Sequence, residues 1–492
     1  MSRVRASRYA SMFCLSLVLA QTGCPGKKEA VDKGGTGKTG GGDTVANAPL
    51  LPIGMADPFQ RMSSGAAKAL DRGYKALRTK KYDEAAEAFA ETLTAVPDHT
   101  ATRFQRARAL VNAGKLPEAR QELEQLLARD FIAYAGRAEK PKEWKALRDS
   151  PEWATYQSAE ARYKAAYGQG LDKGFVFVAR HREGKPAVFS GDEAKLDLNQ
   201  EVYHYDPATS RYRRLTWTDG RVFAAMRAPD GKSLAFISAT KLRRGEKGDL
   251  FVDPQAGYLD LTTLETVGPF PISGAFYEVS LGFGPGGALF ATESTPGVDG
   301  GTFMVDTART GMAKASAPPA GERTWAQVAQ VWHSGKGSPA GATMAADHRS
   351  FSLEGGKQIT SARELADSAL EWSPSKKRIT YAGKLDACKI LRGGDKSKNE
   401  LFVYDVDKKS AQRIDTGVSE FETLWLSDDL LAYENGIGNA GTVNLYNFPE
   451  HKKVTLTPRH GAGIYGVPSL NCQEAAAPAG EGEVEPPLPD GD

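Results

Sequence analysis

Between residues 63 and 130 apolar side chains recur at helical spacing, set in a background of Glu, Lys and Arg. The phrase Lys81-Tyr-Asp-Glu-Ala-Ala-Glu-Ala-Phe89 returns as Lys115-Leu-Pro-Glu-Ala-Arg-Gln-Glu-Leu123. Tyr82, Ala85, Phe89 and Leu93 are matched by Leu116, Ala119, Leu123 and Leu127, each 34 positions later. This predicts two helical hairpins, with Ala85 and Ala119 allowing close approach and Phe89 and Leu123 filling the seam. Two such units bury too little to stand alone. The helical stretch from Trp144 to Tyr163, interrupted at Pro151, is therefore expected to cap them. From Phe175 to about Cys472 the period changes to two, and aromatic, β-branched and Gly residues increase.

The second region repeats as well. Arg227-Ala-Pro-Asp-Gly-Lys-Ser-Leu-Ala-Phe-Ile-Ser238 is echoed by Glu371-Trp-Ser-Pro-Ser-Lys-Lys-Arg-Ile-Thr-Tyr-Ala382. Val202 to Leu215 aligns without a gap on Leu401 to Ile414, placing Tyr205, Asp206 and Arg214 on Tyr404, Asp405 and Arg413. Weaker copies occur at Met304–Thr307 and Leu445–Phe448, and at Gly284–Gly287 and Ser427–Leu430. Two alternating hairpin types imply four strands per unit and about six units. The stretch from Ala315 to Ser361 fits poorly and reads as an irregular unit or insertion.

The 34-residue period, Gly73 and Ala107 in the first helices and Pro97 at a repeat end resemble tetratricopeptide repeats. The second repeat departs from that pattern, with Asp130-Phe131 where the Pro would stand. By register, the resemblance implies a partner-binding groove lined by Tyr74, Arg78, Arg108 and Asn112; the plain alternative is a solvated helix face. Ala228-Pro-Asp-Gly-Lys232 and Ser373-Pro-Ser-Lys-Lys377 resemble the loop-strand phrase of the WD40-like repeats in TolB-type propellers. The expected fold class is thus multidomain α + β, TPR-like helical repeats followed by an all-β propeller of about six blades. That resemblance implies a closing strand, assigned to Ile464–Leu470.

The amino-terminus reads as an export signal. Arg3, Arg5 and Arg8 precede an apolar run from Ser11 to Ala20, about ten residues and far short of a bilayer span. Leu19-Ala-Gln-Thr-Gly-Cys24 resembles a bacterial lipobox, which implies lipidation at Cys24, although Gln21 departs from the usual apolar residue. Cleavage after Ala20 is the competing reading. The expected organisation is a signal segment at 1–24, a flexible Gly/Lys-rich tether at 25–60, helical repeats at 61–168, sheets at 174–472 and a disordered acidic tail at 473–492. Gly37-Lys-Thr39 imitates the end of a phosphate-binding loop, but Asp32 occupies the position that needs Gly. Cys388 and Cys472 remain as an even pair in a compartment that permits a disulfide.

Composition narrows the function classes. The 63 basic and 61 acidic residues leave a formal charge of +2, which speaks against broad nucleic-acid binding. No nucleophile elbow is present, and the seven His show no metal-peptidase spacing. No catalytic, cofactor or metal site is assigned. Asp230-Gly231 is read as a turn, and Trp332, the tryptophan least constrained by the repeat, as an exposed candidate for partner binding. The resulting expectation is a lipid-anchored, periplasm- or surface-facing scaffold at the outer membrane, with a soluble periplasmic protein as the alternative. Its partners would be envelope or peptidoglycan-associated proteins. The competing class is an enzyme, a lyase or glycan-acting hydrolase, with a site in the propeller's central funnel.

Overall fold

The structure, a computed structural model, describes residues 49–457 except 173, 181–188, 196–199, 219, 229–230, 246–247, 273, 277, 284–288, 295–301, 306–311, 316–323, 328–330, 334–341, 354–356, 362–363, 367–368, 384–398, 418–420 and 436–441. Cys24, Asp230, Cys388, Cys472, Ile464–Leu470 and the expected tail at 473–492 lie outside the described residues.

The helical repeats form as two hairpins, α1 (Ser64–Arg78) with α2 (Tyr82–Ala95), and α3 (Thr100–Asn112) with α4 (Leu116–Tyr134). Ser63 caps α1 by accepting from the Ala66 N–H at 3.2 Å, and His99 caps α3 through its ring nitrogen. Lys80 and Gly114, one repeat apart, take left-handed conformations (φ 59° and 76°) where α1 and α3 end. Phe89 is fully buried against Gly73, where a Cβ would come within 2.5 Å of the ring. Gly73 therefore makes the room that the repeat needs. The expected cap is present: after a turn at Lys142–Trp144 and the short helix α5 (Lys145–Arg148), helix α6 (Glu152–Gly168) packs along α4.

The tether expected at 25–60 stops short, because its last part is structured. Gly54 donates to the Ala128 carbonyl of α4 at 2.8 Å, and Met55 exchanges two backbone hydrogen bonds with Tyr212 at 2.7 and 2.8 Å. Gly54 has φ +83°, and a Cβ there would sit 2.6 Å from the Tyr212 carbonyl oxygen, so glycine is needed at this close approach. Met55 and Phe59 are buried, and Phe59 meets Tyr203 and Tyr212 edge-on at 5.1 and 5.7 Å. The reason is simple: Leu51, Ile53, Met55 and Phe59 provide apolar surface that the glycine run before them lacks.

The β-rich part consists of successive antiparallel meanders. The first sheet joins Phe175–Arg180, Gln200–Asp206 and Arg211–Arg214 to a second meander, Arg221–Arg227, Ser233–Ala239, Gln255–Asp260 and Thr266–Pro271. Their strands meet at one parallel pair, Gln200 with Arg221, and excursions from both build a further five-stranded sheet of Phe189–Ser190, Glu193–Lys195, Lys241–Gly245, Gly248–Val252 and Ala275–Phe276. A third meander runs from Glu278 to Ala315, and a hairpin, Thr324–Gln327 with Val331–His333, adds to its first strand. Three strands follow at Ala342–Thr360, four at Glu371–Gly417 and four at Phe421–Thr455. The irregular stretch seen in the sequence is thus the added hairpin and the three-stranded unit. Among the described residues these sheets do not join into one closed hydrogen-bonded ring. The first and last share a side-chain seam instead: Phe59, Phe177, Tyr203 and Tyr212 cluster with Ala432, Val443, Leu445 and Leu456.

The repeats noted in the sequence are two turn types. In the first, Ala228 N–H bonds the Ser233 carbonyl and Ser373 N–H the Arg378 carbonyl, both at 2.8 Å, with left-handed Gly231 and Lys376 between. A third copy, Ala345 to Ser350 with left-handed His348, escaped the sequence reading because only the backbone pattern is retained. In the second type an Asx side chain accepts from the backbone two or three residues on: Asp206, Asp260, Asp405 and Asn447. Four residues after each comes a left-handed residue: Ser210, Leu264, Lys409 and His451.

Helices and sheets share one continuous core across the joint, from Ala76 and Phe89 through Phe131, Tyr163 and Tyr167 to Val176, Val202, Leu234 and Leu264. The segment after α6 is held by arginines of the sheet. Arg213 donates to the carbonyls of Tyr167 and Gln169 at 2.8 and 2.6 Å, and Arg227 to that of Leu171 at 2.7 Å.

Candidate functional site

The candidate groove residues fall on α1 and α3 but play unequal parts. Tyr74 is half-buried and packs edge-on against Phe89, with ring centroids 5.5 Å apart, so it belongs largely to the helical seam. Arg78 is exposed in the last turn of α1. Arg108 pairs with Glu143 at 2.9 Å and also donates to Gln105 at 2.8 Å. Asn112 is exposed and donates to the Arg108 carbonyl at 2.8 Å. Trp144 of the capping turn is fully buried, with its ring centroid 5.3 Å from that of Phe104 on α3. The cap therefore covers part of the α3 surface that the resemblance assigned to a partner.

Helices α4 and α6 face the sheets, which leaves α1 with the most open surface. Its buried side is Ala66, Ala69, Gly73 and Ala76. Its outer side carries Lys68, Asp71, Arg72, Lys75 and Arg78, followed by Lys80 and Lys81. Arg72 pairs with Glu91, and Lys81 with Glu84 at 2.9 Å. Lys68, Lys75, Arg78 and Lys80 form no ion pair among the described residues. Lys68 and Lys75 were missed because groove register, not charge, guided the selection; spacing of i, i+7 and i+10 with Arg78 was the available signal.

At the joint, Trp217 lies between two guanidinium groups, with Arg137 and Arg214 at 4.7 and 4.6 Å from its ring. Arg214 in turn pairs with Asp130 at 3.2 Å. Complete burial holds Asp130 above the ordinary carboxylate range, against the pull of Arg214. Glu201 is pushed up to about 7 by burial, although Thr216 and Thr218 donate to it. Burial between the last two meanders pushes Glu371 up to about 8, opposed by the Thr423 hydroxyl and the Trp425 backbone. Its Oε2 has no hydrogen-bond partner among the described residues. A cleft of about 230 Å³ opens between the same two meanders, with Arg378, Asp405, Lys408, Gln412 and Phe448 in its walls.

Of the described histidines, His99 caps α3, His348 and His451 occupy left-handed turn positions, and His204 is fully buried with its Nδ1 3.4 Å from an Arg213 nitrogen. Trp332 lies on the added hairpin, paired with Ala326. Among the described residues no group of three or more His, Cys, Asp or Glu could hold a metal ion, and no helix is long and apolar enough to cross a membrane.

The family model described as tetratricopeptide repeat matches residues 76–135, from the end of α1 through α4. No curated protein matches the chain. Solved structures similar to parts of it include the tricorn protease, 13% identical with a TM-score of 0.27, covering 58% of this chain and 26% of that one. TolB from Acinetobacter baumannii is 12% identical, with a TM-score of 0.24, over 63% of this chain and 71% of that one. An oligogalacturonate lyase in complex with manganese is 12% identical, with a TM-score of 0.23, over 57% and 78%. All three TM-scores are below 0.5, and the topology above rests on the strands alone. Residues 76–135 carry tetratricopeptide-type helical repeats, welded to a β-rich remainder.

Proposed function

We propose that this chain is a lipid-anchored cell-envelope scaffold that holds a protein partner on the open face of its helical repeats. The observation that carries this reading is the arrangement of the two helical layers. Helices α4 and α6 are built into the core shared with the sheets, while α1 keeps an exposed, charged surface. A repeat fixed along one side and open on the other provides a rigid recognition surface, so a partner meets little ordering cost in the scaffold. In this reading the meanders form a propeller of about six blades, the Cys24 lipid sets the location, and Cys388 and Cys472 form a disulfide. The partner is an envelope or peptidoglycan-associated protein.

Photo-crosslinking residues placed at Arg78 and Asn112, in cells, should capture one dominant envelope protein identified by mass spectrometry. Crosslinks of the same pattern from a position on the outer sheet strand Ser410–Gly417 would overturn the assignment of the face. Anchoring is tested separately: an alkyne fatty acid should label the wild type and not Cys24→Ser. Counting reactive thiols in denatured, unreduced protein tests the disulfide.

A further inference from the structure

We infer that the open face of α1 is occupied in the resting protein by the chain's own acidic segment, Glu474–Asp492, and that the external partner presents an acidic segment of the same kind. The inference deepens the proposed function by giving the chemistry of the partner.

Three observations carry it. The first is charge. Residues 61–81 hold Arg61, Lys68, Arg72, Lys75, Arg78, Lys80 and Lys81 against one acid, Asp71. Of these, Lys68, Lys75, Arg78 and Lys80 are exposed without an ion pair among the described residues, and the first three share one stripe of the helix. The acids of the neighbouring helix are partly engaged: Glu91 with Arg72, Glu84 with Lys81 and Asp83 with Lys115. The second is composition. Glu474 to Asp492 holds six carboxylates and no Lys or Arg.

The third is place. The described chain leaves the last meander at Thr457, next to Leu456, whose carbonyl accepts from the Tyr212 hydroxyl at 3.2 Å. Leu456 clusters with Met55 and Phe59, and Phe59 is four residues before the α1 cap, Ser63. Helix α1 is about 22 Å long. Residues 458–473 span up to roughly 50 Å when extended, so the acidic segment reaches every cation on the stripe. Attachment to the same chain raises its local concentration to about the millimolar range. Individually weak surface pairs then suffice to keep the face occupied, and an external acidic ligand must compete.

The test uses a fluorescein-labelled peptide of residues 474–492 and two full-length proteins, the unaltered chain and one in which Glu474, Glu481, Glu483 and Glu485 are changed to Gln and Asp490 and Asp492 to Asn. Fluorescence anisotropy at low salt should show the peptide binding the neutralised chain about tenfold or more tightly than the unaltered chain. Binding should weaken with salt and disappear when Lys68→Glu, Lys75→Glu and Arg78→Glu are added. Circular dichroism confirms that this last variant is folded. Equal binding to both chains, or to neither, would overturn the inference. So would a neutralised chain that ignores the peptide but partitions onto phosphatidylglycerol vesicles, which would assign the face to a membrane. The crosslinking of a partner is read separately, so the two failures are distinguishable: without a partner only the self-occupation of α1 stands, and without peptide binding only the scaffold reading stands.

Discussion

Asp130 Oδ2 lies 3.2 Å from Arg214 Nη2, and both side chains are fully buried. Asp130 has non-helical backbone angles (φ −149°, ψ 62°) and kinks α4 at the point where the second repeat departs from its pattern. Arg214 stands opposite Tyr203, just as Arg413 stands opposite Phe402 in the equivalent meander. Yet Arg413 is exposed and pairs with Glu400 at 2.7 Å. One arginine of the repeat has been recruited to join helices to sheets.

Removing one member of the Asp130–Arg214 pair strands the other charge in the core. Asp130→Ala or Arg214→Met should each lower stability by about 3–5 kcal/mol in denaturant unfolding. The double change Asp130→Ala with Arg214→Met should lose much less than the two single changes added together, because the uncompensated charge disappears. A double variant whose loss equals the sum of the singles would show that the two groups do not interact.

The shared core predicts that the helices unfold together with the first two meanders in one cooperative transition. Limited proteolysis should spare Gly168–Gly174, where the carbonyls of Gln169 and Leu171 accept from Arg213 and Arg227. Early cleavage there, with a stable carboxy-terminal fragment, would show that helices and sheets are separate units after all.

Gly73→Ala is a mild or favourable change in most helix interiors. Here the new Cβ meets the Phe89 ring at 2.5 Å. Thermal unfolding should show a loss of about 1–3 kcal/mol, from overpacking. Gly73→Ala combined with Phe89→Leu should lose less than the two single changes added together; strict additivity would mean that the clash is not the cause.

Glu371 and Glu201 are raised from 4.5 to about 8 and about 7 by burial. Between about pH 4.5 and these values the folded chain binds more protons than the unfolded chain, so stability falls as pH rises through that window. Each group contributes a slope of up to about 1.4 kcal/mol per pH unit. Glu371→Gln should flatten the fall between about pH 5 and pH 8. An unchanged slope would mean that Glu371 titrates as an ordinary exposed carboxylate.

The sequence alone determined the local periodicities and their division. Ala85, Phe89, Ala119 and Leu123 state a helical repeat because helix faces follow a fixed period, and the hairpins form as that period requires. Tyr205-Asp206 and Tyr404-Asp405 state a recurring strand and turn because an Asx side chain satisfies its own turn locally. What the repeat pattern could not state is which copy is covered. Arg214 and Arg413 are equivalent along the chain, and only docking of α4 and α6 buries one and leaves the other in water. The same holds for residues 49–60: Met55 and Phe59 look like a spacer until Tyr203 and Tyr212 present a surface for them. Burial is a property of elements distant in sequence meeting in space, and no local pattern encodes it.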